Sequence, residues 1–127
     1  RMGIMHTPIG KTVWAFADLF WPKVDNGQDY VSHEAICVLN LSDQTAHIDL
    51  TFYFEDQEPL HLQTVCPARR TNHIRLDRLK GENGALLPRG AGYAAVLESD
   101  IPLVAQYTRV DTTQPELALM TTVGYGC

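Results

Sequence analysis

The sequence predicts an all-β protein: a single-domain antiparallel β-sandwich of the jelly-roll type with about eight strands. Short segments rich in β-branched and aromatic residues alternate between apolar and polar side chains, as half-buried strands do. Turn-forming residues separate these segments about every eight to twelve residues. No apolar pattern with the helical period continues for three turns. The length of 127 residues suits one domain, and a hydrophobic content of 45% is typical of a globular protein.

The predicted strands follow one another along the chain with turn residues between them. They are Thr12–Ala17, Ala35–Asn40, Ala46–Phe54, Leu60–Val65, Asn72–Leu76, Tyr93–Glu98, Leu103–Val110 and Ala118–Tyr125. Ala35–Asn40 is a nearly continuous apolar run, which is typical of a central strand buried on both faces. Ala46–Phe54 has the clearest alternation, with Ile48, Leu50 and Phe52 on one face.

Loops are predicted where proline and glycine cluster. The segment Leu19–Gln28 contains Pro22 and is expected to expose Trp21. Lys80–Gly92 contains four glycines and a proline, so it is predicted to be a long loop. Ser99–Pro102 is expected to separate two strands.

Two adjacent arginines mark the most basic part of the chain. Pro67 has no backbone N–H, so a strand is expected to end there, which places Arg69 and Arg70 on a bend. His73 and Arg75 then share one face of the following strand. Arginine is suited to bidentate recognition of carboxylate or phosphate, although a basic edge also protects a sheet against aggregation. Because the net charge is −5, this clustering favours a specific anion or partner site over a nucleic-acid coat.

Two further polar clusters contain candidate binding residues. His33 and Glu34 are adjacent, so on extended backbone they point to opposite faces, and the HExxH pattern of zinc hydrolases is absent. Arg109 and Asp111 lie two residues apart and share a face, where they form either a surface ion pair or a joint ligand contact. Gln106 would need hydrogen-bond partners if it were buried. These clusters indicate binding groups rather than a nucleophile–base pair, so we expect a protein without enzymatic activity.

The cysteine content predicts neither a disulfide framework nor a metal site. Cys37, Cys66 and Cys127 are odd in number and lack zinc-ligand spacing, so no cofactor or metal is predicted. A reducing, cytoplasmic location is expected. No apolar run reaches the 18 residues of a membrane span. Residues 1–10 are expected to be an N-terminal extension or tag remnant, and 11–127 the sandwich domain.

A set of motifs resembles a known family. The motifs are Trp14–Ala17, Val31–Glu34, Cys37–Asn40, Pro67–Thr71 with His73 and Arg75, and Pro102–Val104 with Gln106, Thr108, Arg109 and Asp111. In order and spacing, from about residue 11 to residue 125, the chain resembles the soluble sensory rhodopsin transducer family of the Anabaena type. The resemblance implies a small cytoplasmic β-sandwich that assembles as a homotetramer. One member couples to a membrane photoreceptor and has been linked to transcriptional control, while carbohydrate or small-metabolite binding has been suggested for relatives without a rhodopsin.

Residues and resemblance together favour a non-enzymatic signalling or ligand-binding module. We expect it to bind a small polar or anionic ligand, such as a sugar-like metabolite, a membrane receptor's cytoplasmic side, or both. The candidate ligand-binding residues are His33, Glu34, Arg69, Arg70, His73, Arg75, Gln106, Arg109 and Asp111. In this hypothesis the arginines take the ligand, and the carboxylates and the glutamine accept hydrogen bonds from its hydroxyls. The alternatives are an adaptor whose basic bend docks an acidic receptor segment, and a weak DNA-binding modulator of transcription.

Overall fold

A computed structural model of the chain describes residues 9–23, 31–80 and 87–127. The described residues form eight antiparallel strands and one 3-10 turn, Leu76–Arg78. The strands are β1 Lys11–Phe20, β2 His33–Asn40, β3 Ala46–Phe54, β4 Leu60–Cys66, β5 Arg70–Arg75, β6 Gly92–Asp111, β7 Ala118–Val123 and β8 Tyr125–Gly126. The all-β prediction is confirmed, and β4 ends directly before Pro67, as the missing N–H requires. No described helix is long and apolar enough to cross a membrane.

The strands pair in two layers that share one long strand. The first layer has the order β4-β3-β6-β1-β8, and in the second β2 pairs with β5 and β6 while β7 pairs with β6. The first half of β6 pairs with β1 and β3, and its second half pairs with β2 and β7. The long strand β6 therefore connects the two layers directly.

The prediction of two strands separated by a turn at Ser99–Pro102 was wrong. β6 continues through this segment, which is where the strand changes layers. Ser99 is its last partner of β3, and Val104 is its first partner along β2. The polar and proline residues that mimic a turn in the sequence instead lie where the pairing is irregular. After Ser99 the pairing with β3 ends, and Leu103 still pairs with Lys11 of β1 directly before the pairing with β2 begins at Val104.

The single strand predicted for Ala118–Tyr125 is divided at Gly124 into β7 and β8. These two strands lie in different layers, because β7 pairs with β6 and β8 pairs with β1. A Cβ atom at Gly124 would lie 2.6 Å from Cε1 of Phe16, so only glycine lets the chain pass this ring. The separation of β7 from β8 opens the sandwich along this edge.

The core lies between the two layers and is built from alternate residues of each strand. Phe16 of the first layer and Tyr107 of the second contact each other with ring centroids 6.5 Å apart. Trp14 donates a hydrogen bond from Nε1 to the Leu103 carbonyl at 2.9 Å, which satisfies its polar atom inside the core. Each large apolar side chain buried here stabilises the fold by about 1.5–3 kcal/mol.

Trp21 is buried, contrary to the prediction that its loop exposes it. Its side chain is 9% exposed, and Nε1 donates a hydrogen bond to the Ser32 carbonyl at 2.8 Å. The Arg89 guanidinium lies 4.6 Å from the indole centroid, which adds a cation–π contact. The loop predictions for 24–28 and 81–86 fall outside the described residues.

Candidate functional site

A buried carboxylate joins three strands at one end of the sandwich. Glu34 is 1% exposed and faces the core from β2. It accepts hydrogen bonds from the Tyr93 hydroxyl at 2.5 Å, from the Tyr107 hydroxyl, and from the Phe20 backbone N–H at 2.9 Å. Burial of a carboxylate is costly unless hydrogen bonds compensate for lost water, and here three donors do so. Glu34 therefore holds the two layers together through polar contacts.

An irregularity in β1 supplies two of the backbone groups at this site. The register between β1 and β6 shifts between Phe16 and Leu19, as at a β-bulge. Within this shift the Asp18 carbonyl accepts a hydrogen bond from Nη2 of Arg109 at 3.3 Å, and just after it the Phe20 N–H points to Glu34. Bulges often occur next to functional sites because they redirect the groups of a strand in this way.

Arg109 connects the buried network to the surface. It is the β6 partner of Glu34 in the register, and its Nε donates a hydrogen bond to the Tyr107 hydroxyl at 3.0 Å. Its guanidinium carbon lies 5.6 Å from the Tyr107 ring centroid and 5.9 Å from that of Phe20. Among the described residues no acceptor is recorded for Nη1 of this half-buried side chain. Arg109 thus keeps donor capacity for a ligand.

The protonation states of the network are fixed by burial and by the Glu34 charge. Both factors raise the pKa of Tyr93 and of Tyr107 above the ordinary value of a phenol. Burial opposes the charge of Arg109, but the Tyr107 hydrogen bond and the Glu34 carboxylate raise its pKa overall. Near neutral pH both phenols therefore stay protonated and donate, while the guanidinium stays charged.

A groove of about 650 Å³ runs beside this network, where β7 and β8 separate from β1. Its walls are Ala15–Leu19 on one side and Met120 with Thr122–Tyr125 on the other, and the buried rings of Phe16 and Tyr107 lie beneath. Asp18, an exposed residue, lines the groove. Arg109 lies beside it, because it contacts Asp18 and Tyr107. The groove therefore combines an aromatic floor with one carboxylate and a neighbouring guanidinium.

Comparisons with known proteins agree with the motifs in the sequence. The model of the family "Anabaena sensory rhodopsin transducer" matches residues 9–126. The chain belongs to this transducer family. The solved structure of the Anabaena sensory rhodopsin transducer is 39% identical, with a TM-score of 0.72 over 83% of this chain and 92% of that chain. The crystal structure of Thermotoga maritima 1070 is 36% identical, with a TM-score of 0.82 over 92% and 95% of the two chains. No curated protein sequence matches.

Of the nine predicted ligand-binding residues, the structure places Glu34 and Arg109 side by side. The basic bend lies at the opposite end of β2, because Arg70 pairs with Asn40, six residues or about 20 Å from Glu34. Arg69 adopts a left-handed backbone with φ of 55° and forms an ion pair with Asp43 at 2.8 Å. Arg109 therefore does not share a pocket with Arg69 and Arg70.

Other predicted residues lie on the outer face of the second layer. His73 and Gln106 are exposed and flank Cys37 on neighbouring strands. Arg75 forms an ion pair with Asp77 at 2.8 Å. Burial opposes ionisation of this aspartate, but the hydrogen bonds from Arg75 lower its pKa overall. These residues face away from the core and from Glu34, and their role in binding stays a prediction.

The last two predicted residues stabilise local structure. His33 is 8% exposed, and its Nδ1 lies 2.9 Å from the Val31 carbonyl oxygen. Asp111 accepts hydrogen bonds from the backbone N–H and the hydroxyl of Thr113, and no ion pair with Arg109 is recorded among the described residues. The ranges 9–23, 31–80 and 87–127 hold no group of three residues arranged to bind a metal ion.

Sequence reasoning missed Tyr93, Tyr107 and Asp18. Tyr107 shares the inward face of β6 with Arg109, so strand alternation could have placed its hydroxyl beside the guanidinium. Tyr93 lies in the half of β6 that belongs to the first layer, and it comes close to Glu34 of the second layer only because β6 passes from one layer to the other. Asp18 depends on the bulge in β1, which no pattern in the sequence indicates.

Proposed function

We propose that this transducer-family protein is a non-enzymatic cytoplasmic signalling module that binds a small polar, sugar-like ligand in the groove and a membrane receptor's cytoplasmic side. Family membership supports the signalling role. Two observations support the ligand proposal. Within the described part of the chain no acceptor is recorded for Nη1 of Arg109, and the exposed Asp18 lines the groove above its aromatic floor. Hydroxyl groups both donate and accept hydrogen bonds, so they suit a rim that offers one donor group and one acceptor group.

The charges near the groove favour a neutral, hydroxyl-rich ligand over an anion. Glu34 and Asp18 both act on the single charge of Arg109, which leaves little attraction for a further negative group. Glu34 cannot accept hydrogen bonds from the ligand, because it is 1% exposed and already accepts three. Asp18 takes the acceptor role that the sequence had given to Glu34.

A thermal-shift screen of sugars, sugar acids and nucleotides tests this proposal. A ligand at one hundred times its Kd should add about 2.7 kcal/mol to the free energy of unfolding and raise Tm by several degrees. Asp18→Ala removes the acceptor while leaving the backbone carbonyl that Arg109 uses, and it should abolish the shift. Arg70→Ala is the matched control and should keep the shift. Absence of stabilisation by all three classes, or an equal shift in Asp18→Ala, would refute the ligand proposal.

A second candidate, a protein-interaction adaptor, is favoured by the exposed edge strand β7. All six of its residues are exposed and none is charged, with Leu119 70% and Val123 59% exposed. Natural edge strands usually carry charges or proline that prevent pairing, so an uncharged edge favours association, including the homotetramer that we propose. Light scattering should show a tetramer for the wild type and smaller species for Val123→Lys. A monomeric wild type, or an unchanged variant, would contradict this candidate.

A further inference from the structure

One exposed aromatic ring lies at the end of the groove where β8 begins. Tyr125 is 73% exposed and lines the groove. Within residues 9–23, 31–80 and 87–127 no aromatic or cation–π contact is recorded for its ring. Because the removal of apolar surface from water is favourable, the face of this ring is available to pack against a ligand in the groove.

The backbone around Tyr125 is fixed against β1. Tyr125 pairs with Ala15, and the N–H of Cys127 donates a hydrogen bond to a β1 carbonyl at 3.0 Å. A Cβ atom at Gly126 would lie 3.0 Å from the Trp14 ring, so the chain approaches β1 this closely only with glycine at that position. A tyrosine on a fixed backbone has two side-chain torsions left to order, so a ligand that packs on it loses little affinity to conformational entropy.

The polar rim of the groove lies farther along β1. Asp18 follows Ala15, the partner of Tyr125, by three residues, which corresponds to about 10 Å of extended backbone. At this end Nη2 of Arg109 donates a hydrogen bond to the Asp18 carbonyl. The distance from the ring to the rim therefore exceeds the width of one sugar ring and suits two linked rings.

The groove between these two ends suits an uncharged ligand. Asp18 is the one charged residue among the described residues that line it. On the β7 side Thr122 offers a hydroxyl that both donates and accepts hydrogen bonds. On the β1 side Ala15 and Ala17 have short side chains, which leave room beside the Tyr125 ring. A flat, neutral group can therefore lie against this ring while its edge meets polar atoms.

We infer that the ligand is a neutral disaccharide, with one pyranose ring stacked on Tyr125 and hydroxyls of the other ring at Arg109 and Asp18. This inference rests on the proposed ligand-binding function and adds the ligand class and a residue that determines specificity. The C–H groups on one face of a pyranose carry slight positive charge, so they pack on the negative face of an aromatic ring. A single sugar ring is too short to use both ends of the groove.

Isothermal titration calorimetry on the full chain tests the inference with maltose, cellobiose and lactose, and with methyl glucoside and methyl galactoside as single-ring probes. At least one disaccharide should bind about tenfold more tightly than either single ring. Tyr125→Ala should weaken its binding about tenfold, as expected for the loss of one aromatic contact, whereas Tyr125→Phe keeps the ring and should bind within about threefold of the wild type. Tyr53→Ala removes an exposed tyrosine outside the groove and should bind within about twofold.

A fluorescent variant shows whether the ligand covers this position. Tyr125→Trp adds an exposed indole to a chain in which Trp14 and Trp21 are buried, and its emission should shift to shorter wavelength as the disaccharide binds. An unchanged emission at saturation, equal affinities of the wild type and Tyr125→Ala, or no preference for two rings over one would overturn the inference.

Two other results separate this inference from the function on which it rests. Tighter binding of adenosine than of any disaccharide would overturn the inference, because it would assign the ring to a nucleobase. Absence of binding by all five sugars would overturn it as well, whereas the proposed ligand function fails only if the wider thermal-shift screen is also negative.

Discussion

Replacement of Glu34 by glutamine tests the buried network with almost no change in volume. The carboxylate accepts three hydrogen bonds at 1% exposure, and hydrogen bonds to a charged group contribute about 1.5–3 kcal/mol each. An amide keeps one accepting oxygen but turns an NH₂ group toward the Tyr hydroxyls or the Phe20 N–H. We expect Glu34→Gln to lower the free energy of unfolding by about 2–4 kcal/mol, a large part of the stability of a typical domain.

Urea denaturation followed by tryptophan fluorescence measures this loss, since Trp14 and Trp21 are both buried. With m of about 1.5–2 kcal/mol/M the midpoint should fall by about 1–2 M at a fixed protein concentration. Glu98→Gln is the matched control, because this exposed glutamate accepts no recorded hydrogen bond within the described residues, and it should change stability by less than about 0.5 kcal/mol. A loss below about 1 kcal/mol in Glu34→Gln would refute the view that this carboxylate holds the layers together.

Three further predictions concern pH and buried polar contacts. The folded-state pKa values of Tyr93 and Tyr107 are raised above 10, so the contribution of these tyrosines to the free energy of unfolding should be fully present below pH 10. Above pH 10 the free energy of unfolding should fall by about 1.4 kcal/mol per pH unit for each tyrosine. In alkaline urea titrations the corresponding phenylalanine variants should show a smaller slope. Because the pKa of Asp77 is lowered in the folded state, its ionised form stabilises the fold above pH 3.8, and this stabilisation is lost as pH falls through the folded-state pKa. The difference in the free energy of unfolding between the wild type and Asp77→Asn should therefore disappear in acid. A difference that stays constant with pH would contradict the ion pair with Arg75. Asn40 is fully buried and hydrogen-bonds the backbone of two turns, so Asn40→Ala should cost about 2–4 kcal/mol in urea denaturation, whereas a cost below 1 kcal/mol would show that water replaces these bonds.

The fold was predictable from the sequence wherever one face of a strand is buried and the other is not. Ala46–Phe54 illustrates this, because its alternation gave the strand with the bounds that the structure shows. The path of the chain between the layers was not predictable at two places. Ser99–Pro102 has the composition of a turn but lies within a strand that changes sheets, and Gly124 ends a strand because of the Phe16 ring, a contact between residues far apart in the sequence.

The candidate site was predictable only in part, since its geometry depends on strand register. Sequence position alone could identify Glu34 and Arg109 as polar residues on strands, but only the pairing of β2 with β6 makes them neighbours. The same pairing separates them from Arg70, which lies at the other end of β2. Clustering of arginines along the chain therefore indicated a basic bend, which the structure shows, but not its distance from the buried carboxylate.

An NMR titration that follows the arginine Nε–H signals tests the central claim most directly. The ligand is the sugar that gives the largest thermal shift. The account predicts saturable changes at Arg109 and in the ring signals of Tyr107, with the Arg70 signal unchanged. Changes centred on Arg70 or His73, or saturable binding that leaves Arg109 unaffected, would contradict it.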